Sequence, residues 1–469
     1  MSKIEVNQIS SQCGSTLTVG QSGDSIQLAC GATQTGFGRT GTVDWQTAIK
    51  TGDFTAVNGE GYFINTTSGT ITMTLPSSPS VGDIVALKDY ANTFDTNNLT
   101  INRNGQPISG EATNPIVSTE GQALTLVYGD ATKGWQSVAA STESDLPKPA
   151  FVTATGGTIT TVCTNFKVHT FTGPGTFTVT CAGNAIGSNS VDYLVVAGGG
   201  GGGYTTGCNG GAGGGGAGGY RESPGTASGS YAVSPLGASP AVALAVPATS
   251  YPITVGGGGA AGAAPPSGPI CQNAPAKGSS SIFSTITSTG GGGGGYNGNT
   301  VTGKPGGSGG GGGNGSSTPV RVGGSGNTPP VSPAQGRDGG NGVNPGSAEQ
   351  GTGGGGGAIN EGGDGGTSSN GDGGAGATSS INGTPTARAG GGGGGGNNPG
   401  GAPGGDSTGG AGGAGGGGAG GSYPNNSPAA TAGTVNTGGG GGAGGAGPDT
   451  DNAGAAGGSG IVIIRYKFQ

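Results

Sequence analysis

Charged residues are few in this chain. Asp, Glu, Lys and Arg make up 8% of its 469 residues, 16 basic against 23 acidic, for a net charge of −7. Binding to nucleic acid needs clustered Lys and Arg, so the acidic balance argues against that partner. Histidine occurs once, at His169, so a histidine-based zinc site cannot be assembled. Leucine is scarce and no stretch sustains apolar residues at 3.6-residue spacing, which nearly excludes helix. No apolar run approaches the ~20 residues of a membrane span. The opening MSKIEVNQIS lacks an apolar core, and the expectation is a chain without a signal peptide. Cysteine is also sparse. Cys13, Cys30, Cys163, Cys181, Cys208 and Cys271 are scattered without a CxxC pair, and the expectation is free thiols.

What the chain has is glycine. Gly 121 and Pro 28 together make about a third of it, above the roughly 25–30% at which low complexity becomes the default reading. Two features stand against disorder. The net charge is small, whereas disorder usually goes with high charge. The glycine runs are also entered in an ordered way. Val191 to Ala197 (VDYLVVA) runs into GGGGGG, and Tyr251 to Val255 (YPITV) into GGGG. Ile282 to Thr289, Thr384 to Ala389 and Thr434 to Thr437 each precede another run, and the last run feeds IVIIRYKF, Ile461 to Phe468. Residues 401–421 repeat every three residues without collagen's strict Gly-X-Y, which fits extended left-handed helices of the polyproline type. Such helices have no internal hydrogen bonds, and only glycine lets backbones pack closely on several sides. Two readings follow: a packed glycine lattice, which the punctuation favours, or a flexible tail.

Dense Gly and Pro with abundant Val, Ile and Thr point to an all-β chain plus extended glycine structure. Residues 1–36 alternate in very short stretches and read as an N-terminal attachment or oligomerisation arm. Residues 37–140 hold both tryptophans and six strand candidates: Gly61 to Asn65, Thr70 to Leu75, Asp83 to Lys88, Asn98 to Asn102, Ala123 to Tyr128 and Gly134 to Ala139. That spacing predicts a small β-sandwich or barrel. Residues 141–150 (STESDLPKPA) are a linker stiffened by proline. In 151–197, Phe166 to Phe171 and Phe177 to Cys181 flank TGPG and predict a hairpin. The glycine-rich domain spans 198–460. Residues 461–469 form a closing strand, expected to pair with Val191 to Ala197 and bring the two ends of the glycine half together.

Motifs for chemistry are present but incomplete. Gly298 to Pro305 (GNTVTGKP) has phosphate-loop spacing, yet Pro305 stands where magnesium needs a Ser or Thr, and no helix can follow. His169 lies mid-strand in KVHTF and reads as an exposed strand residue beside Lys167 rather than a catalytic base. Glu361, Asp364, Asp372 and Asp406 sit in GGDGG-like turns and read as solubilising acids. Asp449 and Asp451 lack the further ligands of a calcium loop. No catalytic residue, cofactor or metal site is expected. The tyrosines are more suggestive. Tyr204, Tyr220, Tyr231, Tyr296 and Tyr423 each fall after or between glycine runs. They read either as caps shielding the lattice edges or as receptor-binding contacts in loops at its ends.

The blocks GFGRTGTVDWQT, GYFINTTSGTITMTLPSSPSVGDIVALKDY and YGDATKGWQ resemble the shared β domain of tail-fibre proteins from marine bacteriophages. KVHTFTGPGTFTV, VDYLVVAGGGGGG and GGSGIVIIRYK resemble the glycine-rich domain often found at the end of such fibres. The glycine half also resembles phage adhesins whose tips are stacked polyglycine helices with variable loops. The resemblance implies a virion fibre, usually a homotrimer, attached to other virion tail or capsid proteins through the N-terminal arm. Its partner would be a host glycan or outer-membrane protein, bound by adhesion without chemistry. A polysaccharide-degrading fibre and a bacterial extracellular surface protein are the alternatives.

Overall fold

Ile71, Met73 and Leu75 alternate with threonines and serve one face of a strand, while turn-forming PSSPSVGD follows at once. The computed structural model has strands where this logic asks for them. It describes residues 43–141, 149–184, 187–205, 210–229, 231–237, 239–263, 274–296, 302–314, 320–343, 351–366, 369–397, 407–424, 426–447 and 452–469. The expected arm at 1–36 lies outside those residues, as do Cys13, Cys30, Cys208, Cys271, Asp406, Asp449 and Asp451. The chain divides into two compact units, Met1–Pro147 and Lys148–Gln469, with the boundary inside STESDLPKPA. Both are β-structured, and among the described residues the one helical element is a 3-10 turn at Pro235–Gly237.

The first unit contains β1 (Asp44–Trp45), β2 (Phe54–Thr55), β3 (Glu60–Ile64), β4 (Ile71–Thr74), β5 (Ile84–Asp89), β6 (Leu99–Asn102), β7 (Ile116–Val117), β8 (Ala123–Asp130) and β9 (Gly134–Ser141). They form two sheets, ordered β1-β3-β5-β8-β9 and β2-β4-β6-β7. From β1 to β6 each strand passes to the opposite sheet, and neighbours within a sheet are parallel. Parallel neighbours need a crossover between them, and here a strand of the other sheet supplies it. Only β7, β8 and β9 add antiparallel. Neither sheet closes into a barrel. Tyr62, Ile64, Val85, Leu87 and Trp135 from one sheet share a core with Ile71, Met73, Leu99 and Ile101 from the other.

The second unit contains β10 (Val152–Thr155), β11 (Thr158–Val162), β12 (Phe166–Phe171), β13 (Gly175–Ala182), β14 (Ser190–Val196), β15 (Tyr220–Glu222), β16 (Leu244–Ala245), β17 (Ser250–Thr254), β18 (Ser281–Phe283), β19 (Ile286–Ser288), β20 (Val320–Arg321), β21 (Gly342–Val343), β22 (Ala377–Ser379), β23 (Thr386–Arg388) and β24 (Ile461–Lys467). Its larger sheet runs β11-β12-β24-β14-β15, with β16 also on β14. The expected pairing of the two ends is there: Val196 faces Ile461 and Asp192 faces Arg465, antiparallel. The expected hairpin is not. β12 joins the larger sheet, whereas β13 joins a second one, β10-β13-β17-β18-β19. The TGPG corner carries the chain between them so that Phe171 and Phe177 enter one core from opposite sheets.

β14 and β24 are buried on both faces, which is why VDYLVV and IVIIRY read as nearly unbroken apolar runs. Val191, Tyr193, Val195, Val462 and Ile464 face the second sheet. Leu194, Val196, Ile461 and Ile463 face the other way, onto Ala217, Tyr220, Ala358, Ala377 and Ala389.

Beyond β14 the glycine runs pair with one another, and residues 198–203 show how. Their N–H groups donate in turn to Ser279, Gly458 and Gly216, then to Ala276, Ala455 and Gly213, at 2.8–3.0 Å. The recipients repeat after three residues. Their carbonyls accept from Gly291, Gly259 and Gly441, then from Gly294, Gly262 and Gly444. The run is thus bonded to six neighbouring segments. A Cβ added to Gly201 or Gly202 would stand 2.0 Å from the carbonyl oxygen of Ala260 or Gly442. The hydrogen in its place points at that oxygen, a weak Cα–H···O contact worth about 0.5–1 kcal/mol. At the flanks, side chains supply acceptors that a neighbouring run would otherwise provide. Asp338 accepts from Gly326 N, Asp364 from Asn341 N and Asp372 from Ala411 N.

Space, more than backbone conformation, therefore demands glycine in these runs. Gly202→Ala is expected to lower stability by about 3 kcal/mol, because a backbone oxygen cannot yield as a side chain can. Gly257→Ala, with nothing within 4 Å of the added methyl, should stay within about 0.5 kcal/mol. Thermal melts of the two variants check this, and equal effects would refute the steric account.

Candidate functional site

The five tyrosines singled out in the sequence are placed by following the glycine runs away from β14. At their far end from β14, Tyr204 stacks on Tyr296 with centroids 5.2 Å apart and rings inclined by 18°. Thr205 and Asn452 exchange both backbone hydrogen bonds. Gly211 N donates to the Asn314 side-chain oxygen, and Gly211 abuts Thr352 and Asn397. Asn370 bonds Thr352 and Ser407, and Tyr423 N donates to Ser407 O. Gly262 lies against Tyr204, and Val343 N donates to Gly351 O. These residues bracket segments 206–209, 264–273, 297–301, 315–319, 344–350, 398–406 and 448–451. The chain thus enters and leaves all seven from a common end of the glycine runs.

The five tyrosines divide. Tyr204, Tyr296 and Tyr423 are at this end; Tyr220 and Tyr231 are not. Tyr204, Tyr220 and Tyr296 are 0%, 1% and 3% exposed, so as placed they offer no surface to a receptor and act as packing. A large ring among glycines has few other apolar surfaces to cover, and Tyr204 and Tyr296 cover each other. Tyr220 is a strand residue of β15 whose hydroxyl donates to Glu222, and burial pushes its pKa well up. Tyr231 is half-buried against Arg465, and burial raises its pKa too. Tyr423 is half-buried at the bracketing end.

Around Tyr220 and Tyr231 lies a buried polar cluster that the sequence reading missed. Asp192 accepts from Ser223 Oγ at 2.8 Å and from Ser228 N at 2.8 Å. Glu222 accepts from Tyr220 Oη at 3.1 Å, from Ser234 N at 3.0 Å, and from the Ser234 and Ser379 hydroxyls. Burial raises the Glu222 pKa above the usual carboxylate value, against the pull of these donors. Arg465 lies between the rings of Phe166 and Tyr231, with Cζ 4.5 and 5.1 Å from their centroids, and burial lowers its pKa. All four carboxylate oxygens are engaged. The arrangement ties β14, β15, the 223–237 segment and β22 together, which is a structural role. An acid inside VDYLVV and an arginine inside IVIIRY were its sequence signal, since an ionisable group in a buried run needs partners.

His169 departs from expectation as well. It is fully buried rather than exposed, because the second sheet covers that face of β12. Nδ1 lies 2.7 Å from Gly156 O and Nε2 3.0 Å from Tyr466 Oη, with the Phe177 ring edge-on at 5.1 Å. Lys304 of the phosphate-loop-like stretch donates its amine to Pro275 O at 2.7 Å. Glu361, Asp364 and Asp372 are exposed, and two of them bond backbone as described. Cys163 and Cys181 are free and exposed. Among the described residues, no three His, Cys, Asp or Glu side chains are placed to hold a metal ion.

A family model described as a glycine-rich domain matches residues 170–467, well over half of the chain. The chain belongs to this glycine-rich domain family. The match opens inside β12 and closes on the last residue of β24, so the family domain includes the paired β14 and β24 as well as the glycine runs between them. No curated protein matches the chain.

Burial lowers the His169 pKa from its ordinary 6.5. Below pH 6.5 the unfolded chain takes up a proton that the folded domain refuses, so stability falls as pH falls through that window, by at most ~1.4 kcal/mol per pH unit. His169→Gln removes the titration while keeping a donor and an acceptor. Melts at pH 5 and 7.5 should show a larger loss on acidification for the natural protein than for the variant. Equal losses would mean that His169 is not held neutral.

Proposed function

We propose that the chain is a bacteriophage virion fibre protein whose glycine-rich domain is a rigid, non-enzymatic adhesion head. In this reading the glycine runs are left-handed helices of the polyproline type packed side by side. The three-residue period of hydrogen bonding and the six neighbours of residues 198–203 support it. Within the first unit, the arm at 1–36 would join the chain to the particle and the β domain at 37–140 would join it to other copies in a homotrimer. The observation that carries the proposal is the shared end of the seven bracketed segments. A stiff lattice that brings the flanking residues of many connections to one end holds those flanks in fixed relative positions, which lowers the ordering cost of binding. Weak contacts are then multiplied over the copies of a virion.

The bracketed segments suit an uncharged or hydrogen-bonding receptor. Their charged residues are Glu349, Asp406, Asp449 and Asp451, and they contain no Lys or Arg. A host-surface glycan or an outer-membrane protein loop fits that chemistry, whereas an anionic polymer does not.

Two measurements test this. Replacing 398–406 and 448–451 by Gly-Ser sequence of equal length should lower adsorption of the labelled protein to binding-competent marine bacterial cells at least tenfold, with an unchanged melting temperature. Unchanged adsorption would overturn the assignment of the binding end. Amide hydrogen exchange should show strong protection across 198–203 and 391–396, while exchange at the free-chain rate would overturn the packed-helix reading.

A further inference from the structure

The edges of the sheets in the second unit are managed unequally. β10 is interrupted by a register shift between Thr153 and Ala154. β15 and β19 are three residues long and β16 two, and Tyr220 N of β15 is taken by Gln335 O. Short, irregular or covered edges resist joining to another chain. β11 has none of these devices. Its five residues, Thr158-Ile159-Thr160-Thr161-Val162, pair with β12 in unbroken register. Four of them are exposed, with Ile159 at 44%. Among the described residues no backbone group of another element bonds to them. All five are β-branched, and none is charged or proline.

We infer that β11 is a pairing edge for a second copy of this chain, antiparallel across a twofold axis at Thr160. An edge that pairs with itself must be complementary to its own reversal, and this one is. Thr160 would face its equivalent, Thr158 would face Val162, and Ile159 would face Thr161. Each pair sets β-branched against β-branched or hydroxyl against hydroxyl, combinations that favour cross-strand pairing. No like charges meet. The Lys167 ammonium of β12 bonds Thr161 Oγ1 of β11 at 2.9 Å and lies 4.7 Å from the Phe468 ring centroid, so it is already partnered. Pairing with its own reversal therefore brings no charge, proline or small residue into the ladder. The product is one sheet running through two glycine-rich domains. A five-residue pairing makes on the order of four hydrogen bonds at about 0.5–1.5 kcal/mol each, so the contact is weak between free chains, and because a twofold cannot relate all three chains of a homotrimer it joins domains of neighbouring trimers. It concerns the glycine-rich domain alone and does not depend on the adhesion reading.

The experiment uses the full chain carrying Thr160→Cys, oxidised at several concentrations, with linked peptides identified by mass spectrometry. The native Cys181, exposed on β13 away from this edge, serves as the internal reference. A 160–160 link should form at least tenfold faster than a 181–181 link. Ile159→Lys in the same chain, which sets a charge against the edge while leaving the core untouched, should abolish that advantage at an unchanged melting temperature. Equal rates for the two links, or an advantage that survives Ile159→Lys, would overturn the pairing.

Discussion

The second unit depends on backbones touching where side chains would normally intervene. In residues 198–203 every N–H and every C=O is bonded to a neighbouring run, and the space beside Gly201 or Gly202 is occupied by a carbonyl oxygen. Ordering a residue costs about 1–2 kcal/mol, and glycine is at the costly end. A hydrogen bond contributes about 0.5–1.5 kcal/mol net and a Cα–H···O contact about 0.5–1. The opposing amounts are nearly equal, so the runs gain little by themselves. The margin has to come from the apolar cores at their base.

That explains the placing of β14 and β24. They are the first and last elements around the glycine runs, and both are buried on two faces. One face closes a core with the second sheet, and the other receives Ala217, Ala358, Ala377 and Ala389 from the ends of glycine runs. The buried acids and arginine belong to the same joint. Asp192 and Arg465 face each other in register on β14 and β24, and Ser223, Ser228 and Tyr231, from the segment that follows β15, are among their partners. The charges thereby hold loops against a sheet that would otherwise present only apolar side chains.

Much of the first unit was legible because local pattern and turn chemistry agree there. All six strand candidates between Gly61 and Ala139 correspond to strands of the structure. Their parallel pairing was not legible, because alternation specifies a strand's faces and says nothing about its neighbour's direction. The pairing of β14 with β24 could be expected from two matching apolar runs. The false hairpin between Phe166 and Cys181 shows the limit of the same reasoning. TGPG specifies a reversal, and whether the two strands then bond each other or separate into two sheets depends on the core into which both phenylalanines pack.

The sequence by itself determined that the chain is all-β, that glycine runs are bounded by β stretches, and that one end of the glycine half meets the other. These follow from composition and local pattern, which short-range sterics enforce. Only the tertiary structure decided which residues face solvent. Tyr204, Tyr220, Tyr296 and His169 are interior because runs and strands far apart in sequence close over them. Glycine carries no side chain to mark an inside or an outside, so a residue set among glycines gives no local sign of its burial. Its exposure follows from which runs become neighbours, and hydrogen bonds between residues hundreds of positions apart decide that.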